Sequence, residues 1–172
     1  MFELVVSSLY FILPAYIANI FPVLLGRLGL PFGTPISTKW LGSHKTWRGI
    51  YSAYLGALIM LAIQLQLLKA GFYEGLLNYQ EINIFFYAFL LGIGAITGDA
   101  VKSFFKRRIG IKPGRPFFPF DQLDFVIGAL LFCAPFYFPP WQSVLTILIA
   151  TPLLHLATNI GAYFIGLKKV WW

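Results

Sequence analysis

Charge is scarce in this chain. Only 11% of its 172 residues are Asp, Glu, Lys or Arg and 59% are hydrophobic, a balance from which the surface of a water-soluble globule cannot be built. Acidic residues are the rarer sign, six against thirteen Lys and Arg. There is one cysteine, Cys133, so no intrachain disulfide can form, and its place in an apolar run reads as a small core hydrophobe. A Walker A pattern, a nucleophile-base triad and a His or Cys cluster of metal-ligand spacing are all missing, which argues against P-loop, triad and zinc chemistry. The N-terminal stretch "MFELVVSSLYFILPAYIANIFPVLL" lacks the basic region that opens a signal peptide and carries Glu3 instead; it is expected to be a retained membrane segment. No internal repeat or low-complexity tract is found.

What is present is a series of long apolar runs. A helix that crosses the hydrocarbon core needs about 20 mostly apolar residues, and runs of this kind extend from Phe2 to Leu25, Gly49 to Leu68, Ile82 toward Val101, Leu123 to about Phe138, and Val144 to Leu167. Pro14 is expected to kink the first, and Pro139 and Pro140 to end the short fourth. The expected fold is all-α: one membrane domain over residues 1–172, a bundle of five transmembrane helices whose cytoplasmic loops form the active site.

Five spans put the termini on opposite sides, and the basic residues choose the sides. Arg27, Lys39, Lys45 and Arg48 follow the first span, Lys102 to Arg115 the third, and Lys168 and Lys169 the fifth. The opposite loops hold only Lys69, Glu74, Glu81 and the uncharged "FPPWQS". The basic face is therefore cytoplasmic and the N-terminus outside, in a multi-pass protein of the cell membrane. This distribution also explains the net charge of +7 without a nucleic-acid partner. Trp40, Trp47, Trp141, Trp171 and Trp172 fall near the expected interfaces, where indole rings anchor.

The chemistry gathers in "GDAVKSFFKRRIGIKPGRPFFPFDQLDF", residues Gly98 to Phe125. Continued as a helix, the third span places Asp99, Lys102, Ser103 and Lys106 on one face, at i, i+3, i+4 and i+7. Asp121 and Asp124, at i and i+3, point together from the start of the fourth span. A loop on one side joins these spans, so three of the six acidic residues can meet at the cytoplasmic edge of the membrane. Carboxylates crowded near lipid repel one another unless cations compensate them. Mg2+ binds through one or two carboxylates plus substrate phosphates, and the neighbouring Lys and Arg suit phosphate. The constellation predicts a site for a metal-bound polyphosphate; simple helix ion pairs between Asp99 and Lys102 or Lys106 are the plainer alternative. On the same side "SHKTWRG" opens the second span, where Ser43 or Thr46 can cap the helix and Lys45 and Arg48 add charge beside an anion-attracting N-terminus.

The ordered elements "KTWRG", "GDAVKSFFKRRIGIK" and "DQLD" resemble the signature of the CDP-diglyceride synthase superfamily, the membrane cytidylyltransferases. The resemblance covers about a quarter of the chain by position. It implies that Asp121 and Asp124 bind metal, with Asp99 a further acidic member, and that Lys106 is catalytic beside these three. It further implies that Lys45, Thr46, Arg48, Ser103, Arg107 and Lys112 contact the nucleotide or its phosphates. Lys102 stands where bacterial members often carry an acid, and is placed with the phosphate contacts. The His-Gly-Gly run that bacterial members place before the final acidic motif is replaced here by "PFFPF". With the compact length, this makes the chain most similar to the archaeal branch, the CDP-archaeol synthases. Membership implies CTP and Mg2+ as substrate and cofactor, and as lipid partner an unsaturated archaetidic acid with two geranylgeranyl ether chains. The implied reaction is direct attack of the lipid phosphate on the α-phosphorus of CTP, with pyrophosphate leaving.

Other readings stand beside it: a cytidylyltransferase for diacyl phosphatidic acid, a small transporter or channel lined by Asp99, Asp121 and Asp124, or a structural subunit whose charges serve topology alone. The four spaced aspartates of the CDP-alcohol phosphotransferases are lacking. Gly94 and Gly98 are expected to pack helices, His155 and Asn159 either to line the cavity and help bind substrate or, more plainly, to form an interhelical hydrogen bond, and His44 to be solvated. The loop Gly110 to Phe120 is either a cover over the nucleotide or a proline-stiffened linker.

Overall fold

Helices form where the apolar runs lie. In the computed structural model they are α1 (Phe2–Gly26), α2 (Trp47–Lys69), α3 (Ile84–Arg108), α4 (Phe120–Cys133) and α5 (Trp141–Phe164). The described residues are 1–164 apart from Arg27, Leu30, Glu74, Pro113, Gly114 and Pro116. Arg27, Glu74, Lys168, Lys169, Trp171 and Trp172 therefore lie outside the described residues, as do the end of the fifth span and the Pro113, Gly114 and Pro116 part of the loop after α3.

Local chemistry sets the helix ends. Thr46 caps α2 by accepting from Gly49 N at 3.2 Å, and Asn83 caps α3 by accepting from Phe85 N and Phe86 N at 3.0 and 3.2 Å. Gly110, at φ 77° just after α3, supplies the left-handed residue on which the helix stops. α1 continues through Pro14 and Pro22.

Four of the helices, α1, α2, α3 and α5, are long and apolar enough to cross a membrane. α4 has 14 residues, about 21 Å of helix against a hydrocarbon core of about 30 Å. The fourth run is thus helical over Phe120–Cys133 and not to Phe138. Past Cys133 the chain turns, with Phe136 N and Tyr137 N both donating to Cys133 O at 2.9 and 2.8 Å, and Tyr137 Oη donates to Leu76 O at 3.0 Å in the α2–α3 connection. The stretch up to Pro139 and Pro140, which lack N–H donors, carries the chain toward α5 without a helix.

The core mixes large side chains such as Phe11, Leu61 and Leu91 with small ones, Ala15, Ala18, Ala53, Ala57, Ala88, Ala95 and Ala129 all being fully buried. Small residues let helix backbones approach closely, which is how apolar helices gain packing where lipid offers equal hydrophobicity. α3 is the central element, against α1, α2 and α4, while α5 lies on α1 and α4. Other large apolar side chains point outward: Tyr51, Leu55, Ile59 and Ile63 repeat every fourth residue along an exposed face of α2, the face expected to meet lipid. Trp47 and Trp141 open α2 and α5 and are exposed, as interfacial anchors would be.

Candidate active site

The α3–α4 contact fixes the site. On α3, Gly94 faces Gly128 of α4 so closely that a Cβ on Gly94 would lie 2.8 Å from Gly128 O. One turn on, Gly98 meets the backbone of Asp124 and Gly128 at still closer range. With antiparallel helices in touch at Gly98 and Asp124, the next turn of α3 brings Lys102 and Lys106 to the N-terminal turn of α4, where Asp121 lies. The small-residue pair expected to pack helices thereby sets the alignment of the charged groups.

Lys102 is the hub. Its Nζ lies 3.1 Å from Asp99 Oδ1, 2.9 Å from Asp121 Oδ1 and 2.7 Å from Asp124 Oδ2. Lys106 Nζ donates to both oxygens of Asp121 at 3.0 and 3.1 Å and to Arg115 O at 2.7 Å. Lys45, from the loop before α2, pairs with Asp99 Oδ2. Backbone groups complete the set: Phe117 N donates to Asp121 Oδ2, and Phe125 N to Asp124 Oδ1, each at 2.6 Å. Three carboxylates thus face three ammonium groups, and Asp124 Oδ2, buried without a hydrogen bond, is met by the Lys102 charge alone. The side chains of Asp124 and Lys102 are 5% and 14% exposed, so the balance matters: a buried charge that loses its partner costs about 3–5 kcal/mol.

The plain ion pair expected between Asp99 and Lys102 exists, but as one arm of a three-way junction. The predicted convergence of Asp99 with Asp121 and Asp124 is also present, around an ammonium. Among the described residues no three acidic, His or Cys side chains form a ready metal cage. Asp121 and Asp124 nonetheless fit Mg2+ in donor type and number, since the ion favours one or two carboxylates completed by water and phosphate.

Two cavities flank α3. A larger one of about 1080 Å³ lies among α1, α2, α3 and the loop before α2, and Lys45, Thr46, Arg48 and Asp99 line it. That loop is held by a bridge between Pro35 and Thr46 and by Arg48 N donating to Phe32 O at 2.8 Å. Its tip is clipped to the end of α3: Trp40 stacks on Phe104 with centroids 5.9 Å apart, and the Arg108 guanidinium sits 4.8 Å over the Trp40 ring. On the other side of α3 a groove of about 580 Å³ runs between α3 and α4, walled by Val101, Phe105, Ile127, Leu131 and Phe132, with Lys102 and Asp124 in its lining. Thr97, Val101 and Phe105 border both spaces. The charge junction therefore stands in the wall between a cationic cavity and an apolar groove.

The remaining candidates are distributed unevenly. Thr46 spends its hydroxyl on the helix cap. Ser103 is buried. Arg107 donates from Nη1 to Ile111 O, and its Nε is buried without a hydrogen-bond partner, next to Gly42 of the clipped loop. Lys112 is exposed and is not among the cations paired with the aspartates. His44 is exposed at the rim of the larger cavity, and His155 and Asn159 meet along α5 at 3.3 Å. Sequence reasoning missed the apolar groove and the Trp40 clip. The i, i+4 pair Val101 and Phe105, both exposed and apolar beside charged residues, was the available signal for the groove.

Relatives agree with this architecture. The CarS-like CDP-archaeol synthase family matches over residues 1–172. The CDP-archaeol synthase of Pyrococcus horikoshii is 41% identical, with 96% of each chain covered, and that of Methanocaldococcus jannaschii is 39% identical, with 99% of each chain covered. A solved structure described as "Structural insight into an intramembrane enzyme for archaeal membrane lipids biosynthesis" superposes with a TM-score of 0.71 at 30% identity, covering 91% of this chain and 94% of that one. Matched along its whole length by both the family and its individual members, the chain belongs to the CDP-archaeol synthase family.

Proposed function

We propose that the protein transfers CMP from CTP to 2,3-bis-O-(geranylgeranyl)-sn-glycerol 1-phosphate, giving the CDP-linked ether lipid and pyrophosphate. The observation that carries this reading is the junction of Asp99, Lys102, Asp121 and Asp124 in the wall between the cationic cavity and the apolar groove. Such a wall suits a reaction that joins a water-borne polyphosphate to a bilayer lipid. CTP occupies the larger cavity, its phosphates met by Lys45 and Arg48 in the lining, with Arg107 against Gly42 of the same loop. The isoprenoid chains lie along Val101, Phe105, Ile127 and Leu131, which puts the lipid phosphate at Lys102.

The lipid phosphate is already an anionic nucleophile, so no general base and no covalent enzyme intermediate are needed. One of its oxygens bonds to the α-phosphorus as the bond to the pyrophosphate oxygen breaks. The residues hold the two polyanions in line, and Lys106 and the arginines neutralise charge as it moves to the leaving group. Asp121 and Asp124 would hold Mg2+, which supplies further charge neutralisation at the phosphates when bound. The loops bearing Lys45 and the residues from Lys102 to Arg115 face the cytoplasm, where CTP is found, and α1 begins outside. The fourth crossing is completed by the turn segment after α4.

Purified protein given CTP, Mg2+ and each lipid phosphate in turn is expected to form CDP-lipid and pyrophosphate, with the geranylgeranyl ether preferred over diacyl phosphatidic acid. Absence of transfer to every lipid by folded protein would refute the reading.

A further inference from the structure

The nitrogen of Lys102 lies within 3.1 Å of oxygens from three different aspartates. One ammonium thus stands among all three carboxylates, at ion-pair distance from each. Lys45 and Lys106 compensate Asp99 and Asp121 from the flanks, so the cluster is closed and neutral without any metal. A divalent cation arriving alone would have to displace a largely buried ammonium whose charge partners are these carboxylates, and a buried charge stripped of its partners is costly. Phosphate oxygens change that balance. Lys102 lies on a helix that walls both cavities, and it borders the groove itself, so a polyphosphate or lipid phosphate brought to the junction offers its ammonium a new anionic partner.

We propose that Lys102 is a tethered cation that keeps the three-aspartate centre closed to free divalent metal and yields it only when phosphates draw its ammonium away. Lys102 is in this view a positioning residue that orders the assembly of the site: the carboxylates are held in place beforehand, and metal is admitted together with nucleotide. The inference rests on the proposed reading of the junction as the nucleotidyl-transfer centre.

The test reads metal uptake and not turnover. Metal-stripped protein in nanodiscs is titrated with Mn2+ and followed by electron paramagnetic resonance, first alone and then with a CTP analogue carrying a methylene between its α- and β-phosphorus. Wild type is expected to show no protein-bound Mn2+ without the analogue and clear binding with it. Lys102→Met is expected to bind Mn2+ without nucleotide about ten- to a hundred-fold more tightly than wild type, the range by which a neighbouring group moves metal affinity. Lys102→Met combined with Asp124→Asn should lose that gain. Uptake of Mn2+ alone by wild type as tightly as by Lys102→Met overturns the proposal, as does a folded Lys102→Met that gains nothing. Should Lys102→Met not fold, the wild-type comparison decides alone, because nucleotide-independent uptake is sufficient to overturn it. Calorimetry of the analogue in EDTA separates the two claims: no nucleotide binding together with no transfer refutes the functional reading, whereas nucleotide-independent Mn2+ uptake refutes only the role of Lys102.

Discussion

At the scale of residues, the site depends on charges that cannot be altered singly without consequence. Asp121 accepts from Lys106 and Phe117 N and forms an ion pair with Lys102, whereas Asp124 accepts from Phe125 N and forms an ion pair with Lys102. Asn at either position keeps the shape and removes the negative charge. Asp121→Asn and Asp124→Asn are each expected to lower transfer by at least about 10²- to 10³-fold, the scale on which loss of one electrostatic group acts. Pyrophosphate release measures this, and a monodisperse elution profile shows that the protein is still folded; retained activity in both variants would count against the metal assignment. The i, i+3 spacing made these two aspartates readable from sequence, and the stripe from Asp99 to Lys106 was equally visible. The central place of Lys102 was not, because it depends on three distances between α3 and α4 that no spacing encodes. The same holds for Lys45 and Asp99, 54 positions apart, which meet only because the loop before α2 folds over the end of α3.

At the scale of elements, the glycine contact between α3 and α4 carries both packing and alignment. A side chain on Gly128 would run into backbone atoms of Gly94 and Gly98, which cannot rotate aside. Gly128→Leu is therefore expected to destabilise the protein by about 3 kcal/mol, toward the upper end of overpacking costs, and to separate Asp121 from Lys102 so that transfer is lost as well. Gly161→Leu is the control: a Cβ there meets nothing within 4 Å, and its effect on thermal unfolding should stay within about 0.5 kcal/mol. The four long helices were legible because apolar runs of membrane-crossing length leave little choice of structure. α4 was legible in existence and not in extent. It begins at Phe120, three residues before the expected Leu123, since the chain can turn helical directly after Pro119, and it ends at Cys133 because the following residues make tight turns ahead of two prolines.

At the scale of the whole molecule, the proposed reading gives water and lipid one cavity each, on either side of one helix. Filling the groove should impair lipid use and leave the nucleotide untouched. Ile127, 40% exposed in the groove wall, is a suitable position: Ile127→Trp is expected to raise the KM for the ether lipid severalfold with unchanged CTP affinity by calorimetry, and an equal effect on both would argue against separate spaces. Sidedness is tested with single cysteines in a Cys133→Ala background. An impermeant maleimide should label Gln80→Cys on intact cells, and Ser43→Cys only after permeabilisation; both positions are exposed in loops at opposite ends of the bundle.

The brevity of α4 has a consequence for how substrate is met. Its first turn lies level with Lys102 and Lys106, while Arg107 and Arg108 continue α3 beyond that level. On the proposed reading the reacting groups stand at the cytoplasmic edge of the hydrocarbon, the depth at which a lipid phosphate lies. Raising a prenyl lipid out of the membrane to reach a protruding site would expose methylenes at about 0.8 kcal/mol each, and a centre at the membrane edge removes that lift. The search for lipid then becomes a lateral encounter in two dimensions, with each molecule handled at the depth where it already resides.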